Sequence, residues 1–166
     1  MIMSLLPDIL LISPLIALVA LSLIPLLIKV ANGNKEPKPI VTLAYGFMAL
    51  IMAVGFTVLL GTLSPGAKRF VFSNALVVDG LVIWTSYLIY GVAGVCLMLA
   101  YDNVATRGRQ FSEFVFLMLS AVAGMIVLIM ANDLIVTFIG IETMSLCLYI
   151  LVAMSREGVL SKEASF

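Results

Sequence analysis

The chain has 166 residues, of which 63% are hydrophobic and 11% are charged, and its nine basic and nine acidic residues cancel. Soluble domains have roughly 45–50% apolar and about 25% charged residues, so this composition predicts an integral membrane protein. The sequence has no histidine, which excludes His-ligated metal or haem sites and histidine-dependent catalytic units. It also lacks a basic patch with interleaved aromatic residues, which argues against nucleic-acid binding.

Five apolar runs are long enough to cross a bilayer core of about 30 Å as helices. They cover approximately residues 10–28, 40–63, 81–101, 114–131 and 134–154. Because each run is apolar all round and none alternates with a period of two, helices are predicted and β-strands are not. Residues 1–166 are therefore expected to form a single, all-α transmembrane domain.

Two of the links between these runs carry structural predictions. Residues 64–78 contain the segments FVF and ALVV on either side of Ser73-Asn74, which predicts a short hairpin lying on the outer membrane surface. Only Asn132-Asp133 separates the last two runs, so their helices are expected to form a tight antiparallel pair.

Several single residues have structural interpretations. Asp79 is expected to cap the third helix, and Glu113 lies where a carboxylate favours the dipole of the fourth. Gly124 follows a serine by four residues, a spacing of small residues that allows close helix packing. Cys96 and Cys147 lie in apolar runs and are interpreted as small buried side chains, with a disulfide or a metal pair as the alternative.

Lysine and arginine are distributed unequally between the two ends of the predicted helices. One end has two of these residues, Lys68 and Arg69, and the other end has seven. The seven are Lys29, Lys35, Lys38, Arg107, Arg109, Arg156 and Lys162. Because basic residues accumulate on the cytoplasmic side, the N-terminus, the hairpin and Asn132-Asp133 are predicted to face outward.

Glu142 is an unusual residue for the fifth apolar run. It is the ninth residue of the run 134–154, so it lies about 12 Å from the outer end of the helix. That depth is too great for a short carboxylate to reach water, and an acid at the helix centre costs roughly 3 kcal/mol. Glu142 is therefore expected either to be protonated or to face a polar interior.

Ser145 and Tyr149 follow Glu142 by three and seven residues, which places all three on one side of the helix. They would form a polar track, while Ile141 and Ile150 would face lipid or packed apolar surface. One interpretation is a protonated glutamic acid hydrogen-bonded to a neighbouring helix. The other is a proton- or ion-handling site, in which a nearby cation moves and the carboxyl group takes up or releases a proton.

The sequence provides no cation at the depth of Glu142. Lys29 lies at the end of a span, and the other lysines and arginines fall in the predicted links and the C-terminal segment. A positively charged partner is therefore expected from another chain or from sequence beyond residue 166.

Residues 133–149 read DLIVTFIGIETMSLCLY and residues 161–166 read SKEASF. These segments resemble subunit N of the proton-pumping NADH:quinone oxidoreductase, respiratory complex I, whose mitochondrial counterpart is subunit 2. The segments VVDG at 77–80 and FSEF at 111–114 match the family in position. The resemblance covers the whole chain and is most specific over residues 132–166.

The resemblance implies more than five spans. Subunit N is an antiporter-like protein with two inverted helical repeats and broken helices, of which this chain would be the N-terminal portion, with residues 160–166 beginning the next helix. Glu142 matches the family's glutamate, which interacts with lysines of later helices and takes part in proton transfer. The resemblance implies no cofactor in this chain, since NAD, FMN, iron–sulfur clusters and quinone belong to other subunits.

Three functional hypotheses follow. The first is a proton-translocating subunit of complex I in contact with lipid and with other membrane subunits, in a bacterial inner membrane or in an organelle membrane. The second is a subunit of a related cation/proton antiporter or membrane hydrogenase. The third is a non-transporting membrane scaffold, in which Glu142 would affect only stability.

Overall fold

The computed structural model describes residues 11–33, 35–63, 68–101 and 110–154. Within them, five helices are long and apolar enough to cross a membrane. These helices are α1 (Ser13–Ala31), α2 (Pro39–Leu63), α3 (Gly80–Ala100), α4 (Phe111–Met130) and α5 (Leu134–Met154). Two short strands, β1 (Arg69–Val71) and β2 (Leu76–Val78), lie between α2 and α3. The predicted all-α membrane fold with five spans is confirmed.

The helix boundaries differ from the predicted ones by a few residues. The first helix begins and ends three residues later than predicted, and the fourth begins three residues earlier, at Phe111. The later end of α1 and the earlier start of α4 arise because the polar residues Lys29 and Glu113 continue a helix that hydropathy alone would end. The predicted start of a further helix at 160–166 lies outside the described residues.

Helix α4 is the centre of the structure. It contacts α1, α2 and α3, which pack around it, and it also contacts α5. Leu18 of α1, Leu97 of α3 and Leu119 of α4 are fully buried between these helices. Because lipid is as apolar as these side chains, close van der Waals packing is what holds such helices together.

The pairing of α4 with α5 depends on two glycines. A Cβ atom at Gly124 would lie 2.8 Å from the backbone nitrogen of Met144, and one at Gly140 would lie 3.0 Å from that of Leu128. Any larger residue would therefore force the two backbones apart. The predicted tight antiparallel pair and the close packing at Gly124 are both confirmed.

Strands β1 and β2 form an antiparallel hairpin in which Arg69 is opposite Val78 and Val71 is opposite Leu76. The chain turns through three residues with positive φ, of which Asn74 has the largest value, 72°. The hairpin is held to the α4–α5 turn, since the backbone N–H of Asn132 donates to the Ala75 carbonyl at 3.0 Å and its amide donates to the Asn74 carbonyl at 2.8 Å. The hairpin and this turn therefore lie at the same end of the helices.

Two predictions about single residues are resolved by the structure. The Asp79 carboxylate accepts a hydrogen bond from the backbone N–H of Val82 at 2.9 Å, which confirms that Asp79 caps α3. Both cysteines are free, which excludes the disulfide between them. Cys147 is buried as predicted, whereas the prediction is wrong for Cys96, which is exposed at a groove between α3, α4 and α5.

Candidate functional site

Glu142 lies near the middle of α5, on the side of the helix that faces away from α4. Only Gly140 and Cys147 of α5 are buried, and they lie on the opposite side, where α4 packs. The Glu142 side chain is exposed, and it has no hydrogen-bond or ion-pair partner among residues 11–33, 35–63, 68–101 and 110–154. Any cationic side chain that pairs with this carboxylate must therefore come from outside that part of the chain.

Ser145 and Tyr149 lie on the same side of the continuous helix as Glu142. Ser145 is half-buried, while Tyr149 is 58% exposed. With a rise of 1.5 Å per residue, their hydroxyl-bearing positions lie about 5 Å and about 10 Å along the axis from Glu142. Ile141 and Ile150, which were expected to face lipid or packed apolar surface, are both exposed, and the packed side is the one with Gly140 and Cys147.

The uncovered side of α5 combines this acid with large apolar residues. Phe138, Ile139 and Leu146 surround Glu142 and are each at least half exposed. An acid within a spanning helix normally faces a protein interior or a water-filled cavity, because lipid cannot solvate it. The arrangement is that of one half of a site, in which Glu142 provides the titratable group.

A group of charged residues joins three segments at the end of the helices opposite the hairpin. Lys29 Nζ lies 2.6 Å from Glu113 Oε1 and 2.7 Å from Glu36 Oε1. The hydroxyl of Ser112 donates to Glu36 Oε2 at 2.9 Å. The Lys29 side chain is only 10% exposed, whereas the two carboxylates are 33% and 35% exposed. We call Lys29, Glu36 and Glu113 the charged cluster.

The sequence indicated only parts of the charged cluster. The predicted positions of Glu113, at the start of a helix, and of Lys29, at the end of a span, are both correct. Their pairing was missed because 84 residues separate them. The alternation of five spans was the available signal, since it places the end of α1 and the start of α4 on one side of the membrane.

The charged cluster holds different segments of the chain together through ion pairs. One ammonium group and two carboxylates leave a formal charge of −1, and the ammonium is the most buried of the three. Removing one partner of a buried pair leaves an uncompensated charge, which is strongly destabilising. Within the described residues, no three acidic or cysteine side chains are grouped so that they could hold a metal ion.

Comparison with known proteins gives a consistent set of relatives, although no protein-family model matches the chain. The chain is 43% identical over 160 residues to NADH-quinone oxidoreductase subunit N of Bdellovibrio bacteriovorus, covering 96% of this chain and 32% of that protein. It is 33% identical over 161 residues to the protein of that name from Leptospira biflexa, covering 95% of this chain and 32% of the relative. It is 30% identical over 153 residues to the protein of that name from Granulibacter bethesdensis, covering 92% and 30%. The chain thus spans about a third of the length of these curated relatives.

Proposed function

Because this chain is homologous over nearly its whole length to NADH-quinone oxidoreductase subunit N, we propose that it is part of an antiporter-like membrane subunit that contributes to proton translocation. Translocation would be coupled to the reduction of quinone elsewhere in the enzyme. The observation that carries this proposal is the position of Glu142, an acid deep in a spanning helix and on its uncovered side. An acid in such a position is functional by default, because keeping it there is costly.

Glu142 is the proton-transfer residue of the proposed mechanism. A cation approaching it favours the carboxylate and releases a proton, and a cation moving away favours the neutral acid and proton uptake. The hydroxyls of Ser145 and Tyr149 extend the polar side of α5 and would pass the proton along the helix axis. The cation is a basic side chain outside the described residues, from a later part of the same subunit or from a neighbouring one.

The exposed side of α5 supports the proposal that other protein covers this side in the full-length subunit. Among the described elements α5 packs mainly on α4, and the side that bears Glu142 has no such neighbour. We propose that this side contacts other protein, because large apolar residues and an acid share it. The chain would be the N-terminal portion of its subunit, with lipid and other membrane subunits as partners and no redox cofactor of its own.

The relatives favour this function over the two alternatives. The relatives are named as oxidoreductase subunits, whereas an antiporter or hydrogenase subunit would be expected to match proteins of those names first. The proposed location is a bacterial inner membrane with the N-terminus outward. The end bearing the charged cluster is then cytoplasmic, as the distribution of lysine and arginine predicts.

The test is Glu142→Gln in the full-length subunit, assayed in membrane vesicles for proton uptake driven by NADH oxidation. We expect proton uptake to fall about tenfold or more, because a positioned proton-transfer group typically contributes at least that much. Asp133→Asn is the matched control: it also removes a charge from the α5 segment, but at the helix end, where asparagine caps equally well. Unchanged proton uptake in an assembled Glu142→Gln complex would support the scaffold hypothesis.

A further inference from the structure

A small cavity lies between α1, α2, α3 and α4, on the hairpin side of the bundle. Its volume is about 20 Å³, and its wall is mostly apolar. Three hydroxyl-bearing residues from two helices also line it, namely Thr57 of α2 and Ser86 and Tyr90 of α3. Polar groups in a spanning bundle need partners inside the protein, so the hydrogen bonds of these hydroxyls decide what the cavity holds.

The Tyr90 hydroxyl has no partner in the described part of the chain. The residue is only 3% exposed, and its Oη atom is buried without a hydrogen bond to any described residue. Tyr90 is the eleventh of the 21 residues of α3, so its backbone lies at the middle of the helix, and its side chain lines the cavity on the hairpin side. A buried phenol normally finds a hydrogen-bond partner, since leaving one unmade is unfavourable.

The other two hydroxyls are available only as acceptors. Ser86 Oγ donates its hydrogen to the Val82 carbonyl at 2.7 Å. Thr57 Oγ1 lies 2.8 Å from the Val54 carbonyl and 3.1 Å from that of Ala53, so its hydrogen is also used. Each oxygen keeps a lone pair that can accept a further hydrogen bond. The residues that line the cavity therefore provide one free donor and acceptor, at Tyr90, and two further acceptors.

We propose that this cavity binds a single water molecule that links Tyr90 to Ser86 and Thr57. The water accepts the Tyr90 hydrogen and donates its own hydrogens to the two remaining hydroxyl oxygens. A buried water needs roughly 10–15 Å³ and two to four polar partners, and the cavity offers about 20 Å³ and three. The site is independent of the proposed role of Glu142, which lies on a different helix and on its outer side.

The alternative is that the cavity is empty. A cavity lined only by apolar side chains stays dry, and most of this wall is apolar. A dry cavity, however, would leave the buried Tyr90 hydroxyl with no hydrogen bond to any described residue. Phenylalanine would suit a dry cavity better, which makes Tyr90→Phe the informative variant.

The experiment is cryo-electron microscopy of the full-length protein in its native assembly, at a resolution that shows ordered waters elsewhere in the same map. We expect one density peak within about 2.5–3.0 Å of Tyr90 Oη and within hydrogen-bonding reach of Ser86 or Thr57. The peak should disappear in Tyr90→Phe. It should remain in Tyr87→Phe, a matched control in which the same atom is removed from the same helix outside the cavity wall.

Three results would overturn the proposal. One is a wild-type map with no peak in the cavity, and another is a direct hydrogen bond from Tyr90 to a protein group. The third is a peak that persists in Tyr90→Phe, because the water would then not depend on the phenol. If Tyr90→Phe does not fold, the wild-type map decides alone. None of these results depends on proton pumping, so they are separable from a failure of the proposed function.

Discussion

Lys29 Nζ and Glu113 Oε1 lie 2.6 Å apart, although 84 residues separate them in the sequence. This contact joins the last turn of α1 to the first turn of α4, the central helix of the bundle. Glu36, in the segment that leads into α2, holds the same ammonium group at 2.7 Å. One lysine therefore fixes the relative positions of three segments at one end of the molecule.

Replacing Lys29 by methionine is expected to destabilise the full-length protein by about 1–2 kcal/mol. Breaking a buried ion pair can cost more, but the two carboxylates here are about one-third exposed and remain partly solvated. The measurement is the free energy of unfolding in detergent, with Lys35→Met as the control, since that lysine is exposed.

A double-mutant cycle sharpens this prediction. In Glu113→Gln the lysine loses one of its two charged partners, and in the double variant with Lys29→Met both charges of this pair are absent, while Glu36 loses its partner as it does in Lys29→Met alone. We therefore expect the double variant to be less destabilised than the sum of the two single variants. Simple additivity would show that the 2.6 Å contact contributes nothing to stability.

Gly124→Ala is expected to destabilise the α4–α5 pair by about 1–3 kcal/mol. The added methyl group would lie 2.8 Å from the Met144 backbone nitrogen, and backbone cannot rotate away as a side chain can. The matched control is Gly91→Ala in α3, where an added Cβ has no atom within 4 Å. That change should be neutral or stabilise by up to about 1 kcal/mol, because alanine favours helix. Equal effects of the two changes on thermal unfolding would contradict the close contact.

The sequence was sufficient to predict the five helices, the tight turn at Asn132-Asp133 and the cap at Asp79. Each of these depends on local chemistry, namely a run of about 20 apolar residues, a two-residue link and a side chain at a helix start. The hairpin strands also lie where the FVF and ALVV segments indicated, within a residue or two. The position of the hairpin on the outer surface of the membrane stays a prediction.

The relations between distant residues could not be predicted. The pairing of Lys29 with Glu113 and the contact of Gly124 with Gly140 depend on how helices pack, which apolar runs do not specify. The same holds for the outward position of Glu142, because α5 has apolar residues on every side. The functional roles of Glu142, Ser145 and Tyr149 stay predictions, because the basic group that would act on Glu142 lies outside the described residues.

Asn74 offers a test of the turn in the hairpin. Its φ of 72° lies in the left-handed region, which asparagine and glycine tolerate and β-branched residues do not. Asn74→Val should cost about 1–2 kcal/mol and speed amide hydrogen exchange in β1 and β2 by about 5–30-fold. Asn74→Gly should leave exchange unchanged or slow it, and both variants keep the carbonyl that accepts from Asn132. Equal exchange in the two variants would rule out this turn geometry.

Leu146 provides a direct test of what covers the Glu142 side of α5. It is 50% exposed and lies one helical turn beyond Glu142. A compact diazirine amino acid at this position of the full-length protein should, on illumination, form adducts with protein segments outside residues 11–154. Proton-coupled function needs a basic group beside Glu142, and this side of the helix must then be covered by protein.

The positive control is the same probe at Met144, which packs against Gly124 and should form adducts within α4. Adducts with lipid alone from position 146, alongside α4 adducts from position 144, would mean that Glu142 faces the bilayer and has no proton-transfer partner.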